Sequence, residues 1–299
     1  MKKLFFGILA FSFACGSGNK PADEQAFLNE LDSMEVQGPT ISEDVISSII
    51  QSIPSPLEIS VLLKESGTKY DASILNTADN TSKYNSNYSK ALNLGIFGTD
   101  LGYTNIYEQN QDGLNYMAAI KELADGLNIG QFFDIETIGK LATNSKNLDS
   151  LLLITTQNFN AINHYLQEQK RSNLSVLLLT GGWLEAMHVT CQVSSKDSTN
   201  KGLQETIGEQ KIILENIVLL VSFYSETDDN MKELHDDLLR LQTAFDVIEI
   251  TTTYKESTME IVDGVMIIQD NSESHVNITT ENVEEIKNLT VDIRKKIIS

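Results

Sequence analysis

The chain has 299 residues, 42 acidic against 22 basic side chains and a formal net charge of -20. Phosphate binding needs Lys and Arg to displace condensed counterions, so nucleic-acid binding is excluded and anionic headgroups are repelled. With 41% hydrophobic residues and four prolines, the length suits one large or two modest packed domains, and the acidity reads first as solubility, ahead of a cation-binding or basic-partner role.

Met1-Lys2-Lys3, an apolar stretch from Leu4 to Phe11 and Ser12-Phe13-Ala14-Cys15 follow one another in the order of a secretory signal. The apolar stretch is too short to span a bilayer, which takes roughly 20 residues. A cysteine directly after a small residue resembles the bacterial lipobox. Lipidation of Cys15 is therefore expected, with residues 1–14 removed and acyl chains such as palmitate anchoring the chain to the membrane. Gly16-Ser17-Gly18-Asn19-Lys20-Pro21 begins a flexible tether over 15–41. Loss of residues 1–14 deletes two lysines and no acids, so the charge moves from -20 to -22. Cys191 is then the only other cysteine, which leaves no internal disulfide and makes stability depend on a core.

The domain is expected over 42–299, mainly α as a helical bundle. Ser42 is placed to cap a helix carrying Val45, Ile49 and Ile50, and after Ile53-Pro54-Ser55-Pro56 a second helix is expected from Pro56 to Gly67. Tyr84, Tyr88, Ala91, Leu92 and Gly95 fall at helical spacing, and the glycines there read as points where another helix comes close. Tyr116, Ala119, Ile120, Leu123 and Leu127 form an amphipathic stripe, as do Leu148 to Leu166 and Met231 to Ile248. Leu174–Val193 and Leu203–Tyr224 are apolar all round, which predicts two helices at the bundle centre. Gly181, Gly182, Glu185 and His188 in the first, and Glu215 and Asn216 in the second, argue against membrane spans.

A small β element is expected around 247–279. Asp263-Gly264 between Met259–Val262 and Val265–Ile268 is a short hairpin signal. A last helix runs from Thr280, with Val283, Ile286, Ile293 and Ile297 on one side, and Arg294, Lys295 and Lys296 read as complements of the helix dipole. Residues 94–101 line up with 177–184 at an offset of 83; a duplicated helical hairpin and chance are both open readings.

Glu185-Ala186-Met187-His188 puts a carboxylate and an imidazole on one helix face, but a di-iron bundle needs a second such motif and none is present. No metal site and no cofactor are expected. No nucleophile elbow, zinc-protease helix or phosphate-binding loop occurs. His235-Asp236-Asp237 reads as a solvated helix face and Asp270-Asn271-Ser272-Glu273 as a turn.

Ile53-Pro54-Ser55-Pro56-Leu57-Glu58, Ala91-Leu92-Asn93-Leu94-Gly95 with Gly98-Thr99-Asp100-Leu101, Gly181-Gly182-Trp183-Leu184-Glu185 and the closing Ile293-Arg294 with Ile297-Ile298 resemble a family of uncharacterised envelope lipoproteins from Bacteroidota. The resemblance implies an envelope location and a helical fold, and carries no activity. Gly16 is not the aspartate that retains lipoproteins in the inner membrane of enteric bacteria, which favours the outer membrane. The function expected is a lipid-anchored binding or scaffolding module, its partner an envelope protein or a small polar ligand. Asp100, Tyr103, Trp183, Glu185 and His188, from two glycine-bearing helices expected to lie together, are the candidate ligand-binding residues. The alternative is an enzyme for a small polar substrate using Glu185 and His188.

Overall fold

A computed structural model describes residues 42–53, 63, 67–133, 148–197, 199–255, 257–262, 265–269 and 273–299. Cys15, the signal, the 15–41 tether, most of the helix expected from Pro56 to Gly67, Asp263-Gly264 and the turn at 270–272 lie outside these residues. Every described element belongs to one compact unit, Ile41–Ser299. It is a helical bundle carrying a small antiparallel β element near the C-terminus.

The first helix, α1, spans Glu43–Ser52. Two 3-10 turns at Ala72–Ile74 and Ala78–Lys83 lead into α2, Asn87–Ile106, whose first turn is closed by a reciprocal capping box between Ser86 and Ser89. α3 follows at Asn110–Gly126 and buries Tyr116, Ala119, Ile120 and Leu123, the stripe its 3.6-residue period lays on one face. α4 (Leu148–Glu168), α5 (Ser172–Lys196), α6 (Lys201–Ser225) and α7 (Asp229–Asp246) complete the run.

α5 is the axis of the core. Among the described residues it is one helix long and apolar enough to cross a membrane, yet 94% of its apolar window is buried inside the fold, as befits a core helix. Buried hydroxyls on such a helix need acceptors, and Thr180 and Thr190 find them four residues back at the Val176 and Ala186 carbonyls, both at 2.7 Å. α2 lies against α5 backbone to backbone. A methyl group built on Gly95 would sit 2.0 Å from the Leu178 carbonyl oxygen, and one on Gly181 2.0 Å from that of Leu92. The Thr99 hydroxyl donates to the Gly182 carbonyl at 2.9 Å. Glycine here makes close approach possible at the cost of helix propensity. The 83-residue offset equates residues that touch, Gly95 with Leu178 and Thr99 with Gly182.

α6 departs from the expectation of a second fully central helix. Ile212 is 53% and Leu219 44% exposed, so its apolar residues reach solvent on one side. After α7 the chain forms two nested antiparallel ribbons. β1 (Glu249–Thr253) pairs with β4 (Glu273–Asn277) from Glu249 opposite Asn277, and β2 (Thr258–Val262) pairs with β3 (Val265–Gln269) up to Val262 opposite Val265. The pairing of Val262 with Val265 leaves two residues between the paired ends of β2 and β3. Ile250 and Val276 tie the outer ribbon to the core, while Tyr254 and Met259 are exposed.

α8 (Thr280–Ile298) returns to the bundle from a capping box between Thr279 and Asn282, and buries Val283, Ile286 and Ile293. Two expectations are corrected here. Asp237 does not face solvent: it is 7% exposed, and its carboxylate accepts from Lys296 Nζ at 2.7 and 2.8 Å. Arg294 is also buried, so the basic trio does more than complement the helix dipole. Lys296 keeps half its side chain in solvent, which limits its pair to about 1 kcal/mol or less.

Candidate functional site

Three helices far apart in sequence bring charges to one buried point. α2 supplies Asp100, α5 supplies Glu185 and, one turn on, His188, and α8 supplies Arg294. Asp100 and Glu185 have no exposed surface. The Arg294 guanidinium forks onto Glu185, Nε to Oε2 at 2.5 Å and Nη2 to Oε1 at 2.7 Å, the two-bond geometry that makes Arg the strongest carboxylate partner. Burial would lower the Arg294 pKa, but the Glu185 carboxylate outweighs it and holds the guanidinium above its ordinary range. The two side chains thus pair in the interior.

Asp100 is the second carboxyl. Burial, then the adjacent Glu185 charge, push its pKa well above the carboxylate range, against the opposing pull of Arg294. Asp100 is thereby biased toward its neutral form beside Glu185. Its Oδ2 accepts from the Asn76 backbone N–H at 3.2 Å. The Arg294 guanidinium against Glu185, with Asp100 biased toward its neutral form, keeps the net charge of the buried cluster low, which is how the interior tolerates it.

His188 is also neutral. Burial is the largest cause of its lowered pKa, with Glu185 opposing and Arg294 reinforcing. Its Nε2 lies 3.0 Å from the Ile74 carbonyl oxygen, an acceptor, so Nε2 carries the proton. Arg294 Nη2 donates to the same carbonyl at 3.2 Å.

The cluster therefore grips the backbone of residues 71–76, which has little helical hydrogen bonding of its own. Ile74 is held by Arg294 and His188, and Asn76 by Asp100. The Asn76 side chain donates to Tyr84 Oη at 2.9 Å and Asn93 Oδ1 at 3.2 Å and accepts from Asn80 at 2.8 Å, while its carbonyl accepts from Tyr116 Oη at 2.8 Å. At the near end, Lys196 Nζ lies 2.5 Å from Asp71 Oδ2, and the Asp71 N–H donates to Tyr103 Oη at 3.3 Å. Hydrogen bonds from Lys196 and Ser73 hold the Asp71 carboxyl down at about 2.

Ala72 and Leu75 of this segment line a cleft of about 200 Å³, together with Tyr70, Thr77, Asp79, Asp112 and Tyr116. Tyr70 Oη donates to Asp112 Oδ2 at 2.7 Å, setting one ring edge against one carboxylate. No family model, curated protein or solved structure matches this chain.

Of the five candidate residues, Asp100, Glu185 and His188 meet in the buried cluster, and Tyr103 stands beside Asp71, its ring tilted against those of Tyr107 and Tyr70 with centroids 4.9 and 5.5 Å away. Trp183 points elsewhere, its indole N–H donating to Gln210 of α6 at 3.1 Å. None of the five lines the cleft. Sequence reading missed Arg294 and Asn76. Arg294 had a signal, since it follows Ile293 and lies four residues after Thr290 on the buried stripe of α8. Asn76, in an aperiodic stretch, had none. Among the described residues no group of three or more His, Cys, Asp or Glu is arranged to hold a metal ion.

The cluster has a testable pH signature. A carboxyl whose folded pKa is raised supports the fold fully below its unfolded pKa, near 4, and loses that support as pH rises toward the folded value. Asp100→Asn places a permanently neutral group beside Glu185 that can still accept from the Asn76 N–H. The variant is expected to match the parent in denaturation midpoint near pH 4 and to exceed it increasingly toward pH 8. Parallel midpoint curves would show that the Asp100 pKa is not raised by its surroundings.

Proposed function

We propose that this chain is an exported, lipid-anchored binding module of the bacterial envelope that captures a small ligand in the cleft over residues 70–79. The observation that carries the binding half is that a buried Arg294–Glu185 pair, Asp100 and His188 fix two backbone groups, Ile74 C=O and Asn76 N–H, on either side of Leu75, which lines that cleft. Preorganising a loop in this way lowers the ordering cost of binding. Glu185 has both oxygens on Arg294, and His188 has Nε2 on Ile74, so the two are positioning residues under this reading. The export half rests on the basic head, short apolar stretch and Cys15, and on the resemblance to envelope lipoproteins, which favours the outer membrane.

The anchor is tested by expressing the full chain in a bacterium fed labelled palmitate. Label and membrane recovery are expected together, and both should vanish in Cys15→Ala. A soluble, unlabelled parent chain would defeat the anchor; label persisting in the variant would defeat the assignment to Cys15.

A further inference from the structure

The cleft has a chemistry that narrows its occupant. Its walls include two carboxylates, Asp79 at the start of a 3-10 turn and Asp112 in the first turn of α3, and two phenol rings, Tyr70 and Tyr116. Among the described residues that line it, none is Lys, Arg or His. We infer that the cleft takes a small organic monocation, an ammonium group on a short apolar body, with Asp79 and Asp112 receiving the charge and the rings of Tyr70 and Tyr116 flanking it. This inference rests on the proposed binding function and deepens it.

Each alternative class fits less well. An anion would enter against both carboxylates and against the field of a chain with net charge -20. A divalent metal asks for six to eight oxygens if calcium, or near-octahedral oxygens if magnesium, whereas this cleft is lined in part by Leu75, Tyr70 and Tyr116. A neutral polar ligand would draw nothing from the charge of the two carboxylates. Aromatic faces attract a cation by about 0.5–2 kcal/mol depending on desolvation, so rings and carboxylates act in the same direction. The volume, about 200 Å³, falls below the roughly 300–1,000 Å³ of sites for drug-sized ligands, which limits the body to a few carbon atoms.

The test uses the full chain in detergent and ligand-observed NMR with four probes: n-butylammonium, its neutral match 1-butanol, butyrate and calcium. Butylammonium is expected to bind with saturation transfer from tyrosine ring protons, weakening as salt rises, and to lose about tenfold or more in affinity, roughly 1.4 kcal/mol, in Asp112→Asn. Because Asp112 also holds Tyr70, the exposed Asp79→Asn is the second variant, expected to weaken binding several-fold with an unchanged melting temperature. Equal binding of 1-butanol, or preferred binding of butyrate or calcium at the same tyrosines, overturns the cation assignment and leaves the binding module standing. No binding of any probe, with both variants indistinguishable from the parent, overturns the assignment and the cleft together.

Discussion

Replacing Arg294 with methionine is expected to lower the stability of the fold by about 3–5 kcal/mol, the range for removing one partner of a buried ion pair. The magnitude comes less from the lost attraction than from what remains. Glu185 has no exposed surface and its two oxygens take their donors from Arg294, so the variant must strand a carboxylate in the core or protonate it. The Ile74 carbonyl also loses one of its two donors. At roughly 2–4 °C per kcal/mol for a domain of this size, the melting temperature should fall by about 6–20 °C. Arg294→Lys is expected to recover only part, because an ammonium cannot span both carboxylate oxygens and Ile74 from one position. The discriminating variant is Glu185→Gln combined with Arg294→Met, which leaves no buried charge: it should be more stable than Arg294→Met alone, and near-additive losses in that double-mutant cycle would mean that the two side chains do not act as a pair. Ligand capture should suffer beyond the stability loss, since residues 71–76 would no longer be pinned from below.

The helices were legible because burial writes a 3.6-residue period into the sequence. Tyr116 to Leu127 and Met231 to Ile248 show it plainly, and the structure buries both stripes. The β element was legible for a different reason, since a two-residue Asp-Gly gap between β-branched runs admits few other chain paths. The site was less so. α5 is buried on every side, and a helix without a polar face gives periodicity nothing to orient, so Trp183 and Glu185 could not be assigned to opposite neighbours, α6 for one and α2 with α8 for the other. The basic trio was read from local physics, the helix dipole, whereas Arg294 and Lys296 are used over long range, against Glu185 and Asp237. Asp237 was misplaced by the same logic. Neighbouring acids in a polar helix stretch look solvated until a lysine 59 residues on arrives over one of them. Residues 71–76 carry no period at all, because their shape is imposed by groups outside them.

The glycine crossing gives the second large effect, and it can be tested with the sign reversed inside one helix pair. Gly181→Ala is expected to destabilise. Its new methyl group would lie 2.0 Å from the Leu92 carbonyl oxygen and 2.9 Å from the Leu92 Cα, backbone atoms that no side-chain rotation can move. α2 and α5 would have to separate, loosening the Thr99 to Gly182 hydrogen bond and the approach of Asp100 to Glu185. Overpacking typically costs about 1–3 kcal/mol, occasionally more, and a backbone clash belongs at the upper end, well beyond the roughly 1 kcal/mol that alanine gains over glycine in a helix. Gly95→Ala should behave alike, with 2.0 Å to the Leu178 oxygen. Gly98 sits between these crossings in sequence, yet a methyl group there meets nothing within 4 Å. Gly98→Ala therefore carries the propensity gain without the clash, and should stabilise by about 0.5–1 kcal/mol. Urea melts of the three variants against the parent decide it. If Gly181→Ala and Gly98→Ala shift the midpoint in the same direction, the two helices do not meet backbone to backbone at Gly181, and the convergence of Asp100 on Glu185 that depends on this contact fails with it.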